Sequence, residues 1–321
     1  MARMLGTALK ARVAVQSAFA TPAAGPYTPV HTYSRGDQSC PPQNDDPLLG
    51  DTRYNARDPV APSIGRQPGT AKRTVPLCLS EVGFWFTACL GAATVTGTDD
   101  YTHVFHSGSE TPVFLTVQDL LGGTMFRTLH GVYVNGFTLS AKKDDDYPRL
   151  DLDLLLHDEA TAAAWISGTP NAALTLLRPR GWHCTAKWND VAIGNALESQ
   201  LNYSNNAQRY DVLDGGEFAA TIDPMLAALG GSLKLRTSSE TYFALAAAGG
   251  DPGKLSLIWA MPASPTTQLL QIDYNMVRLT TEGQPVQGAG ELTSDFSLRG
   301  EQNANGPALT MTLKNQVADY A

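Results

Sequence analysis

Few side chains in this sequence stand in patterns that could carry out chemistry. Asp144-Asp145-Asp146 could bind Ca²⁺, yet an EF-hand loop also needs Gly at its sixth position and Glu at its twelfth, and neither is present. His103 and His106 lie three residues apart, so on a strand they point to opposite faces and cannot form one metal or catalytic pair. We therefore expect a solvated turn at the aspartates, and histidines at a surface or an interface.

Two tryptophans and four cysteines are the other candidates for a binding site. Trp182, His183 and Trp188 could form an aromatic platform for a sugar or a base, but they stand between two halves of the chain, which favours packing between domains. The cysteines have no C-x-x-C spacing, and His183-Cys184 has no second cluster to complete a zinc site. We expect reduced thiols at all four: Cys40, Cys78, Cys89 and Cys184.

The sequence lacks the motifs of common enzyme classes. It contains no G-x-S-x-G elbow, H-E-x-x-H helix, Walker loop or G-x-G-x-x-G, and neither Gly122-Gly123 nor Gly249-Gly250 is followed by Lys-Ser/Thr. The sequence therefore predicts a protein that is not an enzyme and that uses no cofactor and no metal.

Composition favours assembly over catalysis. The chain has 321 residues, enough for two domains, and it combines 17% charged residues with 29 Gly and 20 Pro, as in a β-protein that buries surface against partners. A net charge of −8 opposes tight binding to nucleic acid. No apolar run reaches the length of a membrane span, and no apolar stretch of a signal peptide follows the first basic residues. We expect a soluble chain that is made in a cytoplasm.

The chain contains three ordered echoes of itself. Arg53-Tyr54 with Asp58 recurs as Arg209-Tyr210 with Asp214, Ser80-Glu81 recurs as Ser239-Glu240, and Ala173-Leu174-Thr175 recurs as Ala308-Leu309-Thr310. The echoes are 156, 159 and 135 residues apart, which predicts a duplicated unit with different loop lengths. We expect an extended, Pro-rich amino-terminal arm over residues 1–50, a first domain over 51–180 and a second over 181–321.

Each half should contain one short helix. Ser80 is a good N-cap, Gly91 a good stop, and Val82, Trp85, Phe86 and Cys89 lie on one helical face, which predicts an amphipathic helix that packs on a sheet. The second helix is expected over residues 239–248.

The remaining pattern is that of strands. Alternation predicts strands at residues 113–117, 133–143, 150–156, 255–259 and 309–314, and long hairpins over residues 130–157 and 270–298. The fold class is therefore mainly β, with two tandem β-sandwich or barrel domains, each with one short helix and one long hairpin. We interpret the hairpins as ring-forming elements whose candidate residues are Val134, Leu139, Leu150, Leu152, Leu154, Tyr274, Val277, Leu292, Phe296 and Leu298.

Several of these segments, in this order, resemble the tail tube proteins of long-tailed bacteriophages. The resemblance rests on Thr74-Val75-Pro76-Leu77, the aromatic helix that ends at Leu90-Gly91, Tyr101-Thr102-His103-Val104-Phe105 and Gly131-Val132-Tyr133-Val134-Asn135. It extends to the closing strand Leu309–Asn315, and so covers most of residues 50–315; residues 160–195 and the amino-terminal arm match less clearly.

The resemblance implies a virion protein that is synthesised in the cytoplasm of the bacterial host. In that family six domains close a ring, the rings stack into a tube, and DNA passes through the lumen without specific binding. The implied partners are further copies of the chain and the tape measure, terminator and distal tail proteins. An acidic lumen would repel phosphates, and the duplication favours a trimeric ring with pseudo-sixfold symmetry.

Two other functions remain open at this point. A head-tail joining or tail-terminator protein would form one ring and would not polymerise. A secreted carbohydrate-binding or hydrolytic β-domain would use Trp182, Trp188 and Asp153.

Overall fold

The fold is mainly β, as the sequence predicts. The computed structural model describes residues 6–36, 43–44, 63–64, 69–144, 146–213, 218–237, 241–247, 252–262, 268–281, 292–302 and 306–320. Its helices are α1 Val82–Leu90 and α2 Thr241–Ala247, with 3-10 turns at Gly6–Ala8 and Gly181–His183.

The strands follow one another with short connections in most of the chain. They are β1 Lys10–Val15, β2 Thr28–Val30, β3 Ser34–Arg35, β4 Gln43–Asn44, β5 Ser63–Ile64, β6 Thr70–Pro76, β7 Thr94–Thr96, β8 Tyr101–His106, β9 Leu115–Leu121, β10 Met125–Lys142, β11 Arg149–Leu155, β12 Asp158–Ala162, β13 Cys184–Trp188, β14 Val191–Ala192, β15 Ala196–Ser204, β16 Gln208–Tyr210, β17 Thr221–Asp223, β18 Ala228–Arg236, β19 Gly253–Ala260, β20 Leu269–Thr281, β21 Thr293–Gly300 and β22 Leu309–Asn315.

The two halves repeat the same antiparallel pairings. In the first half β1 pairs with β2 and β9, β10 with β9, β11 and β12, and β6 with β11 and β3. In the second half β13 pairs with β14 and β19, β20 with β19, β21 and β22, and β18 with β21 and β15. This correspondence supports a duplication, while the boundary between residues 180 and 181 stays a prediction.

The sequence echoes agree with this correspondence only in part. The second echo precedes α1 and α2, which occupy equivalent places. The third is wrong as a structural match, because Ala173-Leu174-Thr175 lies outside any strand while Leu309 opens β22, whose counterpart in the pairing series is β12. Residues 53–58 of the first echo lie outside the described residues.

Helix α1 ends where the sequence predicts but differs at its start and in its surroundings. Gly91 adopts a φ of 92°, as a helix stop requires, whereas the N-cap is Glu81 and not Ser80. The Glu81 carboxylate accepts a hydrogen bond from the His31 backbone N–H at 2.9 Å, and the Ser80 carbonyl accepts one from the Tyr320 hydroxyl at 2.9 Å. Tertiary contacts therefore replace the local cap.

The same helix is not amphipathic, because all nine of its residues are buried. Phe86 packs against Phe105 and Phe137 on the sheet side, with ring centroids 5.9 and 6.0 Å away. On the opposite side Tyr320 lies over Gly83, where a Cβ atom would stand 2.3 Å from its ring. A helix with a single hydrophobic stripe normally exposes its opposite face to solvent. In this protein the carboxyl-terminal segment covers that face.

The amino-terminal region is not wholly an extended arm. β1 pairs with β9 over six residues and β2 pairs with β1, because Ala11, Val13 and Val30 alternate into the core. Residues 1–5, 37–42 and 45–50 of the predicted arm lie outside the described residues.

Strand β9 begins at Leu115, not at Val113, and is buried on both faces through Leu120. The segment that follows β12 covers its outer face, where the Gln118 side chain accepts a hydrogen bond from the Ile166 N–H at 3.0 Å. Both long hairpins form as predicted: β10 pairs with β11, and β20 pairs with β21. The tip of the second one, residues 282–291, lies outside the described residues.

Candidate functional site: the joint between the two halves

The two halves meet through paired strands. Residues 136–142 of β10 pair with residues 198–204 of β15, from Gly136 opposite Ser204 to Lys142 opposite Glu198, while the other edge of β10 carries β11. We call the β10–β15 pairing the joint. It links eight strands in the order β3, β6, β11, β10, β15, β18, β21 and β20, which we call the eight-strand sheet.

One buried asparagine fixes the end of the joint. The side chain of Asn205, which follows β15, donates from Nδ2 to the carbonyl oxygens of Cys89 at 2.7 Å and Val134 at 3.3 Å. Its Oδ1 accepts from the Tyr203 hydroxyl at 2.8 Å. A buried amide with its hydrogen bonds made holds the second half to the helix and the sheet of the first in one register.

A second pairing ties the halves together at β8 and β22. His103 on β8 is wholly buried, and its Nε2 lies 2.8 Å from the carbonyl oxygen of Val317. His106 is exposed, as expected of a surface position, whereas His103 is buried at this contact between the halves because the chain after β22 folds over it. The two histidines lie on opposite faces of β8, as predicted, because successive side chains of a strand alternate between its faces.

A buried charge centre lies inside the first half. Arg73 and Asp119 are exposed by 1% and 0%, and Arg73 Nη2 lies 2.5 Å from Asp119 Oδ2. Arg35 Nε contacts the same carboxylate oxygen at 3.0 Å, and its Nη2 lies 2.5 Å from Glu159 Oε1. These side chains connect β3, β6, β9 and β12, so the centre fixes β3 at one end of the eight-strand sheet.

A histidine pair forms a further contact between the halves. The rings of His130 and His157 lie 5.0 Å apart, and Phe218 from the second half stacks on His157 at 5.1 Å and 23°. Burial lowers the pKa of both imidazoles, and at His157 the neighbouring His130 and Arg209 lower the pKa further, against Asp158, which raises it. Burial also lowers the pKa of His103, against its contact with Val317 and the charge of Asp319. The folded protein therefore holds these three rings neutral.

We expect the free energy of unfolding to fall as the pH drops below about 6.5, since only the unfolded chain then binds protons at these histidines. The slope should reach about 1.4 kcal/mol per pH unit for each histidine until its folded pKa is reached. Urea unfolding between pH 7.5 and 5 measures it. His157→Phe keeps an aromatic ring against Phe218 and should flatten the slope, and an unchanged slope in this variant would contradict the assignment.

Cation–π contacts hold the chain segment between the two halves against the first hairpin. The guanidinium groups of Arg178 and Arg180 both stack on the ring of Tyr147, at the tip of the first hairpin, 4.1 and 4.6 Å from its centroid. Arg180 also covers the ring of Trp182 at 5.0 Å and contacts Asp146 at 3.4 Å. The predicted solvated tip is thus partly engaged, and Asp145 lies outside the described residues.

The aromatic platform does not form. Trp182 is 52% exposed, whereas Trp188 is 7% exposed and packs edge-on against Tyr242, 6.4 Å away, within the second half. The expectation that both rings pack between domains is wrong for Trp188, because β13 directs it toward α2 and Gly253. A stacking site built from both rings, the basis of the carbohydrate hypothesis, is therefore not present.

The predicted ring-forming residues serve the core. Nine are buried, and only Leu292, which precedes β21, is exposed. Tyr274 lies in the part of β20 that pairs with β19 and β22, and the part of β20 that pairs with β21 begins at Val277. The buried residues are Val134, Leu139, Leu150, Leu152, Leu154, Tyr274, Val277, Phe296 and Leu298. The alternation of hydrophobic residues identified the buried faces of the strands. The joint is instead formed by backbone groups along the edges of β10 and β15 and by Asn205, and no sequence pattern indicated either.

Other site types can be assessed only in the described part of the chain. There, Cys78, Cys89 and Cys184 are free thiols, and Cys40 lies outside it. Burial raises the pKa of Cys184 to about 12, so this thiol stays protonated. No group of three or more metal-ligating side chains occurs among the described residues, and none of their helices has the length and apolar character to cross a membrane.

Comparison with known proteins identifies a related family. A family model described as phage tail tube protein matches residues 7–308. No curated protein matches the chain.

Proposed function

This chain belongs to the phage tail tube protein family, and we propose that it polymerises as stacked rings into a tube whose lumen conducts DNA during ejection. The family makes it a structural component of the virion tail. The host cytoplasm as the place of synthesis, and contacts with the tape measure, terminator and distal tail proteins, belong to the same proposal.

The observation that carries the proposal is the order of the eight-strand sheet. It consists of two sectors, β3-β6-β11-β10 and β15-β18-β21-β20, whose strands correspond one to one. The sectors are connected by β10 of the first and β15 of the second. The counterparts of these two strands are β20 and β3, which lie at the two ends of the sheet.

We infer that β20 of one chain pairs with β3 of the next, in the way that β10 pairs with β15 within a chain. Strand pairing around a closed ring removes the sheet edges that would otherwise aggregate. If a ring needs six sectors, as the family resemblance implies, three chains close it with pseudo-sixfold symmetry. The hairpin over residues 130–157 then forms the joints within chains, and the one over 270–298 those between chains.

The two kinds of joint are not identical. Within a chain, β8 adds a pairing with β22. The second half has no room for a counterpart of β8, because only five residues separate the end of α2 at Ala247 from the start of β19 at Gly253. Divergence between the two joints suits a trimer, in which they occupy different places. The part of the amino-terminal arm beyond β3 is proposed to contact the adjacent ring.

Averaged electron cryo-microscopy of recombinant tubes tests this proposal directly. We expect three chains per ring and 24 strands around the lumen, from the eight strands that each chain supplies. Six chains per ring, with only one half of each at the lumen, would overturn the trimeric stoichiometry but not the proposal that the protein forms a tube. Single rings that never polymerise would favour a terminator or head-tail joining protein.

A further inference from the structure

The strand β3, at one end of the eight-strand sheet, has little backbone pairing of its own. In the described part of the chain it pairs with β6 through Ser34 and Arg35, and the N–H groups of Tyr33 and Gly36 donate to carbonyl oxygens of β6 at 2.9 and 2.8 Å. Its counterpart β15 pairs with β18 over residues 196–204. So short a pairing gives little stability by itself. The position of β3 therefore depends on its side chains.

The side chain of Arg35 connects β3 to two strands with which it does not pair. Its Nε lies 3.0 Å from the Asp119 carboxylate on β9, and its Nη2 lies 2.5 Å from the Glu159 carboxylate on β12. Arg35 is 15% exposed, so salt screens these contacts only weakly. A planar guanidinium group can bridge two carboxylates in this way, whereas the ammonium group of a lysine is a single point charge.

The second half folds without a comparable group of charges. Leu152 and Phe296 are each the middle buried residue of their strands, β11 and β21. Opposite Leu152 stands Arg73, whereas opposite Phe296 stands Leu233, which is wholly buried. A leucine therefore occupies the place at which the first half buries an arginine. Since the same pairings form around both residues, these pairings do not require the charge.

The charge centre is also costly to bury. Arg73 and Asp119 are 1% and 0% exposed, and Arg73 Nη1 and Asp119 Oδ1 have no hydrogen-bond partner among the described residues. A buried ion pair is often no more stabilising than hydrophobic residues of the same size, and each unsatisfied buried polar atom adds to its cost. The half that keeps this costly feature is the one that contains β3, and no strand of the described chain lies on the outer edge of β3.

We propose that Arg35 is a positioning residue for the joint between chains. Held by Asp119 and Glu159, it keeps the outer edge of β3 where β20 of the next chain can pair with it. This inference rests on the proposed ring. Freedom of β3 in the unassembled chain would be lost on pairing and would weaken the association of separate chains. The joint within the chain has no such requirement, because β10 and β15 belong to one molecule.

Arg35→Met tests this role while it leaves the other charges with partners. In the variant Asp119 keeps Arg73 at 2.5 Å, and Glu159 keeps Arg127 at 3.8 Å. The urea midpoint of unassembled subunits should therefore stay close to that of the wild type. A positioning role requires the change to appear at β3 and in assembly.

Hydrogen exchange and assembly measure the two expected changes. In unassembled Arg35→Met subunits the amide hydrogens of Tyr33 and Gly36 should exchange about tenfold faster, while those of the joint within the chain keep the wild-type rate. The concentration at which half of the chains sediment as rings or tubes should rise about tenfold, as expected when a charge-assisted contact is lost. Arg35→Lys should shift both values in the same direction, because it cannot bridge both carboxylates.

Lys72→Met is the matched control. It removes a cation from the adjacent strand β6, where Lys72 is 81% exposed and lies 3.7 Å from Asp153, and it should exchange and assemble like the wild type. Equal assembly by Arg35→Met and Lys72→Met, or full assembly by Arg35→Lys, would overturn the inference. So would a loss of assembly without faster exchange at β3, or with equally faster exchange in the joint within the chain. Wild-type protein that forms neither rings nor tubes would instead overturn the proposed function.

Discussion

Asp119→Ala is expected to lower the free energy of unfolding by about 3 to 5 kcal/mol, which is the usual cost of removing one partner from a buried ion pair. The variant leaves Arg73, which is 1% exposed, without the carboxylate 2.5 Å away, and it removes the contact of Arg35 with the same group. A buried cation without its counterion must be solvated, either because water enters or because β6 and β9 open locally. Urea unfolding of unassembled subunits at neutral pH measures the change.

Two further variants make this result specific. Arg73→Met with Asp119→Leu removes both charges and should be less destabilised than Asp119→Ala, because no buried charge is left alone. Asp151→Ala removes an exposed carboxylate from the adjacent strand and should change stability by less than about 0.5 kcal/mol. Similar losses for Asp119→Ala and Asp151→Ala would show that the centre does not stabilise the fold.

The elements that local pattern specifies were predicted well. Strict alternation in residues 150–156 and 309–314 gave β11 and β22, and Gly91 gave the end of α1, since each depends on neighbours in sequence. The hairpin between β10 and β11 followed from two such strands and a polar turn. Alternation of hydrophobic and polar residues is expected in any strand that has one buried face and one exposed face.

Elements that depend on distant partners were predicted poorly. His103 looks like a surface residue in a polar strand, and only the carboxyl-terminal segment folded over it makes it buried. β1 was not predicted in the short apolar stretch near the start of the chain, because its six residues form a strand only by pairing with β9, about a hundred residues later. Tertiary pairing overrides composition in both cases.

The sequence predicted that the two halves join, but it did not predict which residues form the joint. Duplication predicted that two sectors must join, and repeated pairings support it. The joint itself is made by main-chain groups of β10 and β15 and by the side chain of Asn205, and none of these differs in type from many other positions in the chain. Hydrogen-bonded edges carry no residue signature, so only a three-dimensional register reveals them.

The second large effect should come from a glycine beside the joint. Gly231 on β18 lies opposite Leu201 of β15 and has a φ of 151°. A Cβ atom there would stand 2.0 Å from the backbone oxygen of Gln200, which cannot move unless β15 moves. Since the other edge of β15 forms the joint with β10, a shift of β15 weakens the connection between the sectors.

Gly231→Ala should therefore lower the free energy of unfolding by about 2 to 4 kcal/mol, from the backbone strain and the forced movement together. The adjacent Gly230→Ala is the matched control, because its Cβ would meet only the Leu298 oxygen at an ordinary 3.6 Å; its cost should stay below about 1 kcal/mol. Urea midpoints measure both, and electron microscopy of the same samples should show fewer tubes for Gly231→Ala alone. If the two variants unfold and assemble alike, β15 tolerates displacement and the joint cannot be the rigid connection between sectors.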